Sequence, residues 1–283
     1  MRLSDFLRLC HGYSRRMITR LKQEQAAVTV NGVTPERLTE TVHPGDVVEV
    51  FLRGEEPRFS PNPALSIPVL YEDDALVVFD KPAGVPVHPS YRHQEDTLAN
   101  AFAARYVGQA VSFHVMNRLD RDTSGACVVA KDPLAAAALT GAVEKVYYAA
   151  VQGTVEPPCG TLSFPIARRG ESIILREVRP DGKPAVTHYE TCRTGNGITL
   201  LKIRLETGRT HQIRVHFSHI GHPLAGDDLY GGSREKLGRQ ALHCGEVTFR
   251  HPADGRLLTV SAPLPEEIAR LTEETGAPFC ENP

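Results

Sequence analysis

The sequence predicts an α+β protein: a mixed, largely antiparallel sheet with flanking helices, preceded by a small α/β domain. Three observations carry that expectation. Short β-branched runs recur through most of the chain with little helical pattern between them. A proline-rich stretch of weak periodicity interrupts the chain near residue 60. Ahead of it, two amphipathic segments are followed by valine-rich strands. The expected division is a first domain over 1–53, a linker over 54–67 and a second domain over 68–283.

In the first domain Ser4 can cap a helix whose apolar stripe includes Leu7 and Cys10. Ser14 can cap a second helix that buries Met17, Ile18 and Leu21. Arg16 and Arg20 are four apart and share the opposite face, with Arg15 and Lys22 close by. Asn31-Gly32 in VTVNGV marks a tight turn between short strands, and PGDVVEVF supplies another strand. Residues 1–25 hold six basic groups against two acids, a local excess that suits phosphate on one face or a solvated helix face.

The second domain contains VLYEDDALVVFDKP, ACVVAKD, YYAAVQGTV, THYETCR, ITLLKIRLE and LLTVSAPLP as strand candidates. PLAAAALTGAVEK, residues 133–145, is the one clear helical stretch. No internal repeat or low-complexity tract is present.

Composition narrows the functional classes. The 283 residues are 41% hydrophobic, enough for a packed core, yet no run approaches the ~18 apolar residues of a membrane span. MRLSDFLRLCHG lacks the apolar centre of a signal peptide. Six cysteines without a C-x-x-C pair disfavour a zinc cage or disulfide scaffold and fit a reducing cytoplasm. A net charge of −2 announces no nucleic-acid partner by itself, and the basic N-terminus is compatible with one.

Two polar stretches can carry chemistry. In NRLDRDTSG, residues 117–125, Asp120 stands between two arginines, and Thr123, Ser124 and Gly125 make a rigid turn before an apolar strand. That turn can mount a reactive carboxylate or be an ordinary salt-bridged corner. In ETGRTHQIRVHFSHIGHPLAGDDLYG, residues 206–231, Thr210 can cap a short helix ending before Gly221. Ile213, Phe217 and Ile220 form its buried face, and Arg214 projects away from it. Arg209 is a second partner for an acid or phosphate. Histidines 211, 216, 219 and 222 raise a metal-dependent hydrolase as an alternative, but H-E-x-x-H is absent and no metal site is expected.

FDKPAGVPVHP (79–89), NRLDRDTSGACVVAKD (117–132), EKVYYAAVQG (144–153) and TGRTHQIRVHFSHIGHPLAGDDLYG (207–231) together resemble the RluA-type RNA pseudouridine synthases. The resemblance runs from about residue 68 to the end, with the motifs in family order. Residues 1–53 resemble the alpha-L RNA-binding module first described in a small-subunit ribosomal protein.

The resemblance implies a pseudouridine-synthase-like fold and isomerisation of uridine in RNA, without a cofactor. Asp120 matches the family's catalytic aspartate, Arg214 its paired arginine and Tyr147 the active-site tyrosine. Arg118 matches the arginine that can brace the opened stack. Lys81 and His88 are expected at the pocket edge or on phosphate, and Arg209 and His211 on the substrate. Arg15, Arg16, Arg20 and Lys22 are expected to meet RNA through the N-terminal domain. Asn117 is also expected on the substrate, where it is a departure, since many relatives have histidine before R-L-D. The implied partner is structured RNA, ribosomal in preference to transfer RNA, in the cytoplasm, with no membrane and no obligatory protein partner. The alternative is a non-catalytic RNA-binding paralogue.

Overall fold

The computed structural model describes residues 1–11, 13, 15–24, 26–51 and 58–273. In the N-terminal part, helices α1 (Leu3–Cys10) and α2 (Arg15–Gln23) pack over strands β1 (Val28–Val30) and β2 (Val48–Val50). Leu3 and Leu7, four apart, meet Ile18 and Leu21 in a small core closed by Val28, Leu38 and Val42. Cys10 is exposed, outside the stripe expected to include it. Ser4 lies inside α1, where no side-chain cap is needed: the Leu3 and Ser4 amides donate to the Glu40 and Leu38 carbonyls. The expected cap Ser14 lies outside the described residues.

Asn31 and Gly32 both take positive φ, as a tight turn requires, but only one Val30–Val33 bridge follows. The ladder of β1 is instead with β2, antiparallel. The Asn31 amide fixes this arrangement, donating to Asp46 and accepting from the Val47 N–H, each at 2.9 Å.

The remainder forms one ten-stranded sheet and a small hairpin. Its first strands are β3 (Val69–Glu72) and β4 (Leu76–Lys81); helix α3 (Leu98–Arg105) and the short β5 (His114–Val115) follow. Next come β6 (Ser124–Ala130), α4 (Pro133–Leu139), β7 (Glu144–Gln152) and β8 (Cys159–Ser163). Strands β9 (Ile166–Arg168) and β10 (Arg176–Val178) make the hairpin, and β11 (Val186–Gly195) and β12 (Ile198–Leu205) return to the sheet. The chain then runs through α5 (Gln212–His219), β13 (Leu242–Arg250), β14 (Leu257–Ser261) and α6 (Glu266–Ala269). Strand order is β3-β4-β6-β13-β7-β12-β11-β8, with β14 on β13 and β5 on β6. Among the described residues only the short β6–β13 contact is parallel. The fold is thus the largely antiparallel α+β arrangement the sequence predicts.

Alternation along the strands divides the interior in two. Tyr147, Ala149 and Val151 of β7 face the main core with Leu201 and Ile203 of β12. Tyr148 and Ala150 face the other side, against Ile198, Leu200, Ile268 and Leu271. Helix α4 starts where Asp132 accepts the Leu134 and Ala135 amides, then stops at Leu139 instead of running to 145. Glu144 and Lys145 belong to β7, because pairing with β13 overrides local helical pattern. The sequence reading passed over α3, which opens with a Thr97/Asn100 capping box.

One ion network secures β3 near the sheet edge. Lys131 Nζ donates to Glu72 at 2.9 Å, the Tyr106 hydroxyl at 2.5 Å, and Arg105 completes the cluster. Burial opposes ionisation of Glu72, but hydrogen bonds from Arg105, Tyr106 and Lys131 outweigh it and hold its pKa down at about 2. The folded value lies below the ordinary 4.5, so this stabilisation is present above that pH and lost as pH falls from 4.5 towards 2. We expect Glu72→Gln to lower urea stability by about 1–3 kcal/mol near pH 7. The gap from wild type should narrow on acidification to about pH 3; a pH-independent gap would contradict this account.

Candidate active site

Asp120 lies on a loop fastened from three sides. Its carbonyl accepts the Thr123 N–H, closing the turn. From β4, Lys81 reaches beneath the loop and donates to the carbonyls of Pro82, Val85 and Arg121 at 2.7–2.9 Å. From the segment before β13, Arg239 donates to the Asp122 carbonyl. The loop then enters β6 at Gly125, whose φ is +110° and whose added Cβ would lie 2.2 Å from the Cys244 carbonyl oxygen. Only glycine fits that approach, and it is the approach that makes the parallel β6–β13 contact.

Two expected substrate contacts are corrected by these bonds. Lys81 is fully buried and capped by three backbone carbonyls, so it supports the loop and does not stand at the pocket edge. Burial lowers its pKa to about 8. Asn117 is buried too: its amide donates to the Ala126 carbonyl and accepts from the Val128 N–H, completing the β6 backbone. A side chain spent in this way is a structural tie, not a nucleotide contact.

Opposite the loop, α5 begins with His211 in the left-handed region, φ +58°, and not with a Thr210 cap. Gln212 orders this corner instead. Its amide oxygen accepts the Arg209 N–H and the Thr207 hydroxyl, and its nitrogen donates to Val186 and Thr187. Arg214 is 6% exposed, because α5 is covered on both sides; the expectation of an outward arginine is corrected. Its Nε and Nη2 donate to the two oxygens of Asp227, each at 2.7 Å. Its Nη1 donates to Asp120 Oδ2 at 3.2 Å. Burial works against the Arg214 charge, but Asp227 and then Asp120 outweigh it and raise its pKa.

The Tyr230 ring lies 5.0 Å from the Arg214 guanidinium carbon. The Tyr230 hydroxyl contacts His211 Nδ1 at 2.8 Å and accepts the Arg176 N–H at 3.0 Å. This turns His211 Nε2 to 3.7 Å from Asp120 Oδ2. Burial lowers the His211 pKa against the pull of Asp120, which favours the neutral ring.

Arg118, Asp120, Tyr147, Arg209, His211 and Arg214 therefore line one cleft of about 70 Å³, floored by Leu119, Leu205 and Leu242. It is far smaller than the ~300–1,000 Å³ of ordinary ligand pockets. Burial, followed by the neighbouring Cys244 and Asp120, pushes the Tyr147 phenol well above its ordinary value. It can donate a hydrogen bond or pack on a ring but does not serve as a phenolate. Tyr148 faces the other side of the sheet, as alternation requires.

Other candidates are not among the residues that line the cleft. His88 is exposed and meets Phe113 edge to face at 5.4 Å; partial burial and then the Arg118 charge lower its pKa. His216 is tied to the Phe164 carbonyl and His222 to the Gln152 carbonyl, so the histidine run does not converge. No group of three or more His, Cys, Asp or Glu among the described residues could hold a metal. On α2, Arg15 and Lys22 are exposed and Arg20 pairs with Glu24 at 2.5 Å; the Arg16 side chain lies outside the described residues. Sequence reasoning missed Asp227, Tyr230 and Gln212, although GDDLYG and the residue before Ile213 were in view.

Comparison with known proteins supplies an independent bearing. A family model described as RNA pseudouridylate synthase matches residues 75–219. The chain is 38% identical to "Uncharacterized RNA pseudouridine synthase YjbO" of Bacillus subtilis, over 92% of this chain and 94% of that protein. It is 36% identical to "Ribosomal large subunit pseudouridine synthase D" of Haemophilus ducreyi, over 92% and 86%. Among solved structures, "Human RNA Pseudouridylate Synthase Domain Containing 1" matches with a TM-score of 0.60 and 26% identity, over 72% of this chain and 86% of that one.

Proposed function

Given that the chain belongs to the RNA pseudouridylate synthase family, we propose that its cleft isomerises uridine in structured ribosomal RNA, with Asp120 as the reacting carboxylate. The observation that carries this reading is the convergence of Asp120, Tyr147 and Arg214, from three separate elements, on that one cleft. Isomerisation breaks the bond between the ribose carbon and a base nitrogen, joins the same ribose carbon to a base carbon, and moves a proton. Reactant and product have the same atoms, so no redox partner or group donor is called for.

The chemistry asks for an ionised carboxylate, a held ring and an expelled nucleotide. Arg214 supplies a permanent counter-charge to Asp120. Asp120 can then attack the sugar or base as a nucleophile, or remove a ribose proton; both routes use the same ionised oxygen pair. Tyr147 packs against the uracil and offers its protonated hydroxyl. A uridine inside a helix cannot be reached, so it must leave its stack to enter the cleft, at a cost of a few kcal/mol. Arg118, on the exposed side of the loop, braces the vacated space, its guanidinium plane able to stack as well as to pair with phosphate. Arg209 and His211 contact the sugar-phosphate beside the base.

The basic face of residues 1–53 holds structured RNA through Arg15, Arg16, Arg20 and Lys22. The name of the Haemophilus ducreyi relative supports a large-subunit ribosomal target in preference to transfer RNA, and the cytoplasm as the place of action. Among the described residues no helix is long and apolar enough to cross a membrane.

Pseudouridine mapping in ribosomal RNA from cells lacking the gene should reveal one or more lost positions, restored by wild type and not by Asp120→Asn. The purified D120N protein should lose at least about 10³-fold in single-turnover rate while unfolding within about 1 kcal/mol of wild type. Unchanged RNA in the deleted cells would favour the non-catalytic paralogue. Replacing Arg15, Arg16 and Lys22 by alanine should weaken RNA binding and flatten its salt dependence by about 0.7–0.9 in log–log slope per lost phosphate contact. The rate at saturating RNA should stay within about twofold of wild type, and an equal loss in that rate would contradict the division of labour.

A further inference from the structure

Among the described residues that line the cleft, only His211 takes a positive φ. Its value of +58° lies in the left-handed region, which a residue other than glycine enters at a cost. Gln212 fixes the corner by accepting the Arg209 N–H, and the His211 carbonyl accepts the Val215 N–H of α5. The side chain is held between Tyr230 and Asp120, 12% exposed.

The hydrogen bonds around Tyr230 decide which ring nitrogen carries the proton. The Tyr230 hydroxyl oxygen accepts the Arg176 N–H at 3.0 Å, and burial raises the phenol pKa, so its own proton stays in place. Among the described residues the one acceptor for that proton is His211 Nδ1, at 2.8 Å. Nδ1 therefore accepts, and the neutral ring that burial favours carries its proton on Nε2. That N–H faces Asp120 Oδ2 across 3.7 Å, too far for a hydrogen bond. A donor and an acceptor thus stand side by side in the cleft without bonding to each other.

We propose that His211 is a specificity-determining residue that reads the 2′-hydroxyl of the target ribose: its Nε2–H donates to the hydroxyl oxygen, and the hydroxyl donates to Asp120. The inference rests on the reading of Asp120 as the reacting carboxylate, and on its two routes at the ribose. Those routes bring an Asp120 oxygen to the ribose carbon C1′ or to the proton on C2′, and the 2′-hydroxyl is carried on that same C2′. A donor 3.7 Å from Oδ2 then lies within reach of the 2′-oxygen. A hydroxyl both accepts and donates, so it can satisfy the N–H and the carboxylate together, which a C–H cannot do. It is also the group by which a protein tells RNA from DNA. A site arranged around a substrate hydroxyl rejects the analogue without it, because donor and acceptor are then left unbridged. The contact transfers no proton and leaves the bonds of the isomerisation as they are.

The test is a cycle between enzyme and substrate, read as the single-turnover rate at saturating RNA. A ribosomal RNA fragment carries either uridine or 2′-deoxyuridine at the position the enzyme modifies. His211→Asn suits the cycle, because asparagine tolerates the left-handed region and is too short to place a donor where Nε2 lies. Wild type should lose about tenfold or more in rate on the 2′-deoxy fragment, and the loss in H211N should be smaller by a factor of about five or more. Changes in the reactivity of the sugar itself enter both enzymes alike and cancel in that ratio. Equal losses in the two enzymes, or a wild-type rate indifferent to the hydroxyl, would overturn the proposal. If H211N fails to fold, Tyr230→Phe decides. Without the phenol proton Nδ1 is no longer held as an acceptor, so the 2′-deoxy loss should shrink by about threefold or more, and an unchanged loss is equally adverse. Turnover of the uridine fragment by D120N would remove the reading of Asp120 itself, a result distinct from any obtained at His211.

Discussion

The Arg214 guanidinium is the point where the two halves of the site are joined. It is buried on α5, takes both oxygens of Asp227 along one edge, and reaches across to Asp120 on a loop ninety-four positions earlier in the chain. A buried cation held by a single partner would carry a heavy desolvation cost; two carboxylates and the face of Tyr230 offset it. This arrangement requires α5 to lie against the Asp120 loop at a fixed distance, and much of the fold serves that end. Gly125 lets β6 approach β13, Lys81 ties the loop to the turn after β4, and Gln212 orders the start of α5.

The sheet explains why the remaining groups arrive together. Strand β7 lies between β13 and β12, so Tyr147 has Cys244 on one side and Ile203 on the other and emerges at the floor of the cleft. Its neighbour Tyr148 is committed by the pleat to a separate apolar cluster. The result is a small cleft that brings Asp120, Arg118, Arg209, His211 and Arg214 together with Tyr147 and three leucines. Burial of Tyr147 and His211 favours their uncharged forms there, which leaves Asp120 and the arginines as the charged groups of the cleft.

The sequence pointed to the residues of the cleft more readily than to those that hold it in shape. Asp120, Tyr147 and Arg214 could be placed because their motifs are local and specific, and the strand-rich α+β class followed from short β-branched runs. Asp227 could not be singled out, since which carboxylate of GDDLYG turns inward depends on the close backbone contacts at Gly226 and Gly232. Lys81 and Asn117 were misassigned for a related reason. A lysine or an asparagine beside an active-site motif looks like a ligand contact until the carbonyls and amides it satisfies are known. The end of α4 was likewise decided at long range, by the pairing of β7 with β13.

The shared guanidinium can be tested by changing its shape while keeping its charge. Lysine at position 214 presents a point charge without the planar fork, so it cannot hold Asp227 by two parallel bonds and reach Asp120 at once. The decisive measurement is the single-turnover rate of Arg214→Lys at saturating ribosomal RNA, beside its RNA affinity. The account predicts a loss of about 10²-fold or more in rate with affinity within a few-fold of wild type. A rate near that of wild type would show that charge alone suffices and would contradict the account.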